Sequence, residues 1–190
     1  MKTIVSLIIA VYSGFLFANP VMDGESLYQL KLDLTDQTGE HAGLDVFRGQ
    51  PVLISMIYAS CPHVCPLTIS TLQLAESELT QDQRSRLRVL LVSFDPENDT
   101  VEKLAELARR HKVDGLRWKL ARADAGDVRK LAAVLGVRFR KLPDGSFNHS
   151  TVITLLNAGG VPVLNSNMLA RADPALLSAI RELLSPQENE

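Results

Sequence analysis

The sequence predicts an α/β sandwich, with a mixed central sheet, helices on both faces and an N-terminal hairpin extension. Three observations carry this. Val52 to Tyr58 (VLISMIY) and Arg88 to Phe94 (RVLLVSF) are nearly continuous apolar runs of strand length, the pattern of strands covered on both faces. Each is followed by a stretch whose apolar residues recur at helical spacing, so the chain reads strand, helix, strand, helix with parallel crossovers. Two short apolar runs around Asn157-Ala158-Gly159-Gly160 then read as a hairpin that adds an antiparallel edge.

Taken in order, Ile4 to Ala18 (IVSLIIAVYSGFLFA) is apolar and follows Lys2. It is shorter than the roughly 20 residues of a membrane span and fits a signal h-region ending at a small residue. Leu16 departs from the usual small residue at the cleavage site, so residues 1–18 read as a cleaved signal or as an uncleaved anchor. Either way the rest, 19–190, is expected to be one exported domain in the periplasm, soluble or held at the inner membrane. Leu27 to Leu34 (LYQLKLDL) largely alternates and reads as a strand, with a hairpin turn at Asp36-Gln37-Thr38-Gly39. After the strand at 52–58, Pro66 suits a first helical turn and the helix runs over 67–79. Asp99 or Thr100 caps a helix through Arg110. Arg117 to Ala121 is a short strand, and Ala125 to Leu135 is a helix closed by Gly136. Thr151 to Leu156 and Val161 to Leu164 form the late hairpin. Asp173-Pro174 opens a last helix to about Leu184.

Composition excludes some functions. The 190 residues are 46% hydrophobic with a formal net charge of -2, and no Lys/Arg run offers a nucleic acid a local footprint. There are two cysteines, Cys61 and Cys65. They lie at the carboxyl end of a predicted central strand, where open α/β sheets place their ligands.

Cys61-Pro-His-Val-Cys65 is a C-x-x-x-C pair, and positions i and i+4 share a helix face. The spacing permits a disulfide, and it leaves more room than the usual two-residue spacer for a metal. Thiolates select Cu(I), zinc or iron–sulfur centres over hard cations. A helix amino terminus beside them is expected to favour the thiolate. An inert structural disulfide is the plain alternative, weakened because so short a loop constrains the unfolded chain little. A structural zinc site normally needs four protein ligands, and nothing else in the sequence supports a peroxidase.

Two thiolates rarely complete a transferable metal site, so a third ligand is expected. Of the four histidines, His41 and His111 read as solvated surface. His149 stands before a predicted core strand and reads equally as a ligand or as a structural histidine. His63, inside the motif, reads as a modulator of the thiols or as solvent-facing.

Tyr58-Ala-Ser-Cys-Pro-His-Val-Cys-Pro66, then Ser93-Phe-Asp-Pro-Glu-Asn-Asp-Thr100, then Asn148-His-Ser150 stand in the order and spacing of the Sco/SenC family, which this chain resembles from about residue 25 to 185. The resemblance implies a thioredoxin-like fold and a copper metallochaperone, holding Cu(I) or Cu(II), that serves assembly of the binuclear copper centre of cytochrome c oxidase. It also implies Cys61, Cys65 and His149 as copper ligands, with Asp95 in the outer shell, although Asp95-Pro96 by itself reads equally as a plain turn. Family members commonly carry Asp where this chain has His63, and Asp where it has Asn148, so the surroundings of the site are less negative and His63 becomes a candidate outer-shell group or fourth ligand.

The cysteine pair itself leaves a second function open. Cys61 and Cys65 can act catalytically as a thiol–disulfide oxidoreductase that keeps a target's cysteines reduced, one thiolate attacking and the other resolving. Thioredoxin-type reductases usually place a cis-proline just before the strand that starts here at Thr151. This chain has His149-Ser150 instead, which favours metal binding.

Overall fold

The computed structural model describes residues 26–61 and 64–185. The chain passes from a 3-10 turn at Leu27–Gln29 into β1 (Leu34–Asp36) and β2 (His41–Ala42), a second 3-10 turn at Leu44–Phe47, and β3 (Val52–Ile57). There follow α1 (Val64–Ser77), α2 (Gln81–Arg86), β4 (Arg88–Ser93), α3 (Val101–Arg110), β5 (Trp118–Arg122) and α4 (Ala125–Val134). The last part holds β6 (Phe139–Lys141), β7 (Phe147–His149), β8 (Ile153–Leu156), β9 (Pro162–Ser166) and α5 (Pro174–Leu184).

The apolar runs become the middle of a seven-stranded sheet ordered β2-β1-β5-β4-β3-β8-β9. β3, β4 and β5 are parallel neighbours, while β8 pairs antiparallel with β3 and β1 antiparallel with β5. Every residue of β3 and β8 is buried, which explains their nearly continuous hydrophobicity, interrupted by Ser55 and Thr154. Ile69 and Leu72 of α1, Leu104 and Leu107 of α3, Leu131 of α4 and Ile180 of α5 enter one core with these strands. This is the mixed sheet with flanking helices that the sequence predicts.

The N-terminal region departs from the expected strand at 27–34. Leu27 and Tyr28 are adjacent and both buried, unlike the in-out alternation expected of a strand with one face in the core. A 3-10 turn capped by Ser26 sends both inward, and Leu27 N–H donates to the carbonyl of Gly160 at 2.9 Å. Gly160 has φ +80, and a Cβ there would meet the Tyr28 ring at 2.6 Å, so this turn requires glycine. The strand begins only at Leu34, and the predicted hairpin turn then follows.

Two elements escaped the sequence reading. α2 is a single short helix with a complete capping box between Thr80 and Gln83. The ribbon β6–β7 stands apart from the main sheet, immediately after α4. That helix ends, as expected, on Gly136 with φ +67; Val137 N–H reaches back to Ala132 O and Gly136 N–H to Ala133 O, the two bonds of a Schellman motif. The apolar N-terminal stretch and the proposed boundary at residue 18 lie outside the described residues.

Candidate metal centre

β3 and β4 end side by side, where Phe94 N–H donates to Ile57 O at 2.9 Å. This sets Tyr58 and Phe94 in contact, ring centroids 5.2 Å apart. The chain then turns, with Cys61 N–H donating to Tyr58 O, and Cys65 falls in the first turn of α1. Each sulfur accepts a backbone proton at 3.3 Å: Cys61 Sγ from Cys65 N–H, and Cys65 Sγ from Tyr58 N–H. Both residues are present as thiols. Cys61 is 8% exposed and Cys65 1%, so solvent or a partner reaches Cys61 first.

The ribbon brings the third group. β6 and β7 pair Phe139 with His149, Arg140 with Asn148 and Lys141 with Phe147. Alternation along the ribbon turns Phe139, Phe147 and His149 to one face, against Tyr58 and Phe94. The His149 ring lies 5.0 Å from Phe94 and edge-on to Tyr58 at 5.9 Å. Its Nδ1 lies 3.2 Å from the Ser150 carbonyl. Because a carbonyl only accepts, Nδ1 carries the proton and the lone pair falls on Nε2.

One ligand atom each from Cys61, Cys65 and His149 then lies within 4.8 Å of the others, the one such cluster of three or more His, Cys, Asp or Glu among the described residues. First-row metal–sulfur and metal–nitrogen bonds are about 2.0–2.3 Å, so ligand atoms sharing one ion stand at most about 4.6 Å apart. The cluster is at that scale. Two sulfurs and an imidazole form a soft donor set.

Burial, not the helix terminus, governs Cys65. Desolvation pushes its thiol well above the ordinary value, and the neighbouring Cys61 and Asp99 add to this. The expected stabilisation of a thiolate by the start of α1 is therefore overridden in the metal-free protein. The Tyr58 hydroxyl is likewise pushed up to about 12, by burial first and then by its hydrogen bond to Cys61.

The structure separates the other candidates. Asp95 is buried, but its carboxylate is held by Asn98 Nδ2 at 2.9 Å and lies 4.0 Å from Lys141 Nζ; it is not part of the converging cluster. His63 lies outside the described residues. His41 is exposed and pairs with Asp33, while His111 caps α3, half-buried.

Two residues were missed as parts of the site. Tyr58 joins the cysteine turn to the ribbon, since its ring also meets Phe147 at 5.1 Å. Its signal was an aromatic side chain ending an aliphatic strand. Asp99, read only as a possible cap, is fully buried; Thr100 is the cap. Its Oδ2 accepts Ala59 N–H at 2.8 Å and the Ser93 hydroxyl at 2.6 Å, fixing the turn that leads into Cys61.

The model of the SCO1/SenC family matches residues 22–185 of the chain. A Stutzerimonas stutzeri protein named for copper binding is 24% identical over 136 residues, which is 68% of this chain and 64% of that protein's length. The structure of Bradyrhizobium japonicum ScoI with copper bound superposes with a TM-score of 0.69 at 23% identity, over 80% of this chain and 96% of that one. Yeast Sco1 with copper bound superposes with a TM-score of 0.66 at 19% identity, over 80% of this chain and 84% of that one. These two likenesses establish a shared thioredoxin-like fold.

Proposed function

This chain belongs to the SCO1/SenC family, and we propose that it is a copper metallochaperone whose ligands are Cys61 Sγ, Cys65 Sγ and His149 Nε2. The observation that carries the proposal is their convergence within 4.8 Å. The donor set suits Cu(I), and the copper-bound structures named above support the choice of ion. The ion is cargo. Cys61, the more accessible sulfur, is the natural point at which a receiving protein's ligand enters, so the ion leaves by stepwise ligand exchange. Tyr58 and Phe94 wall the site on the protein side and exclude water from the sulfurs. His149, on a ribbon outside the main sheet, is the ligand whose withdrawal opens the site with least disturbance to the core.

The receiving protein is a copper enzyme under assembly, and a cytochrome c oxidase subunit with a binuclear centre is the partner we propose. The apolar stretch at residues 4–18 supports export, so the proposed location is the periplasm, free or anchored at the inner membrane. Asp95, through Lys141, bears on the ribbon from outside the ligand set.

The thiol pair supports a second reading. Cys61 is the more exposed thiol, so it is the one to attack a target disulfide, and Cys65 Sγ lies within 4.8 Å of Cys61 Sγ. Cys65 would then resolve the mixed disulfide, releasing the target as a dithiol and leaving Cys61–Cys65 oxidised.

An anaerobic Cu(I) titration of the reduced protein beside Cys61→Ser, Cys65→Ser and His149→Ala tests the metal reading. One ion per chain is expected in the wild type, lost in either serine variant and weakened in His149→Ala. A wild type that binds no copper, or a His149→Ala variant with unchanged affinity, would overturn the ligand set.

A further inference from the structure

The segment from Arg129 to His149 has five Arg and Lys residues and a single carboxylate, Asp144, within a chain whose acidic residues outnumber its basic ones by 22 to 20. Two of the five cations are engaged: Lys130 pairs with Asp127 at 2.7 Å and Lys141 with Glu97 at 2.8 Å. Arg129, Arg138 and Arg140 are exposed. None of them forms an ion pair with any carboxylate among the described residues.

Their placement follows from the ribbon. The register that turns His149 and its partner Phe139 inward turns the next pair, Arg140 and Asn148, outward. Arg138, Arg140 and Asn148 line a shallow concavity of about 390 Å³ at the ribbon's edge, which Phe139, Ser150 and the ligand candidate His149 also line. Beside it, a trough of about 420 Å³ between α4 and the ribbon is floored by Val128, Ala132, Val137 and Phe139, with Arg129 and Arg138 contributing to its lining. An apolar trough bordered by unpaired guanidinium groups is the composition of an interface centre with an electrostatic rim. Guanidinium forks match carboxylates in two-point geometry, and a cationic rim speeds encounter with an acidic face.

We propose that this surface docks an acidic protein segment, with carboxylates on Arg138 and Arg140 and an apolar side chain in the trough, and that the segment belongs to the protein that receives copper from the neighbouring site. The proposal rests on the metallochaperone reading and adds the chemistry of the partner. A partner seated here touches the same two strands that carry His149, so docking and ligand withdrawal act on one small element.

The test is a fluorescence anisotropy titration of the full chain with a labelled peptide repeating Glu-Glu-Leu, against the same peptide with Lys for Glu. The Glu peptide is expected to bind the wild type, to weaken steeply with added salt, and to lose about tenfold or more in Arg138→Glu/Arg140→Glu. Arg138→Lys/Arg140→Lys, which keeps the charge but not the two-point geometry, is expected to bind more weakly than the wild type and more tightly than the charge reversal. Equal binding of the two peptides, or no loss on charge reversal, overturns the proposal. So does capture of the protein by anionic phospholipid vesicles through the same arginines without binding of the Glu peptide, which would make the patch a lipid contact. The copper titration, repeated on the charge-reversed variant, keeps the two readings apart. Undiminished copper binding with lost peptide binding shows that the charge-reversed variant is folded and that the two arginines serve docking rather than metal binding. A wild type that binds the Glu peptide but no copper overturns the metal reading and with it the claim that this partner receives the ion.

Discussion

Two buried aspartates in different parts of this fold titrate in opposite directions. Asp36, at the corner of β1, is fully satisfied. Its Oδ1 accepts from Thr38 N–H, Thr38 Oγ1–H and Glu40 N–H, and its Oδ2 from Lys119 Nζ at 2.5 Å. Burial alone would raise its pKa, but these donors hold it down to about 2. Asp99, behind the cysteine turn, has donors on Oδ2 only, and its Oδ1 has no hydrogen-bond partner among the described residues. There desolvation prevails and the pKa is raised. The first carboxylate secures a hairpin corner. The second is kept under-satisfied in the core to hold the backbone beside Cys61, the kind of local cost found at functional sites.

Breaking the first network should show most in stability. Asp36→Ala removes a half-buried ion pair and three hydrogen bonds, and a loss of about 2–3 kcal/mol is expected from denaturant unfolding, with copper affinity unchanged. The pH dependence has a definite sign. A carboxyl held below its unfolded value of 3.8 stabilises the fold above about pH 4, and that contribution is lost as pH falls through about 2. The wild-type and Asp36→Ala stability curves should therefore converge in acid.

Breaking the second should show most in the site. Asp99→Ala leaves Ala59 N–H and the Ser93 hydroxyl without their acceptor, and a tenfold to hundredfold fall in copper affinity is expected, roughly that seen when groups supporting metal ligands are removed. Asp99→Asn keeps an oxygen for both donors and should recover most of it. Equal affinity in Asp99→Ala and wild type would reduce Asp99 to a packing residue.

A smaller effect sharpens the contrast without mutation. Burial keeps Cys65 protonated in the metal-free protein, so metal entry must displace its proton. Apparent copper affinity, measured by chelator competition, should rise about tenfold per pH unit for each proton displaced between roughly pH 6 and 8. A pH-independent affinity would mean that the thiols are already ionised.

Much of this was legible in the sequence, for local reasons. β3 and β8 are buried throughout and β4 after Arg88, and they announce themselves by nearly continuous apolar runs. α3 and α4 carry Thr100 and Asp124 as caps. The failures were non-local or short. Leu27 and Tyr28 leave the strand pattern because they pack on a turn at Gly160, more than 130 residues away in the sequence. β6 and β7 have three residues each, too few for periodicity to register, although Pro143-Asp144-Gly145 between them is a turn signal. Missing that ribbon left His149 undecided on its local sequence, so that only the family resemblance pointed to it as a ligand. Asp99 could not be read as support for Cys61, because its partner Ala59 is 40 residues upstream.

The most direct test of the central claim is X-ray absorption at the copper edge of the Cu(I)-loaded protein and its His149→Ala variant. Two sulfur scatterers and one nitrogen are expected per copper in the wild type, with the nitrogen shell lost or replaced in the variant. A shell of sulfur alone, or a nitrogen shell that survives His149→Ala unchanged, would contradict a site built from Cys61, Cys65 and His149.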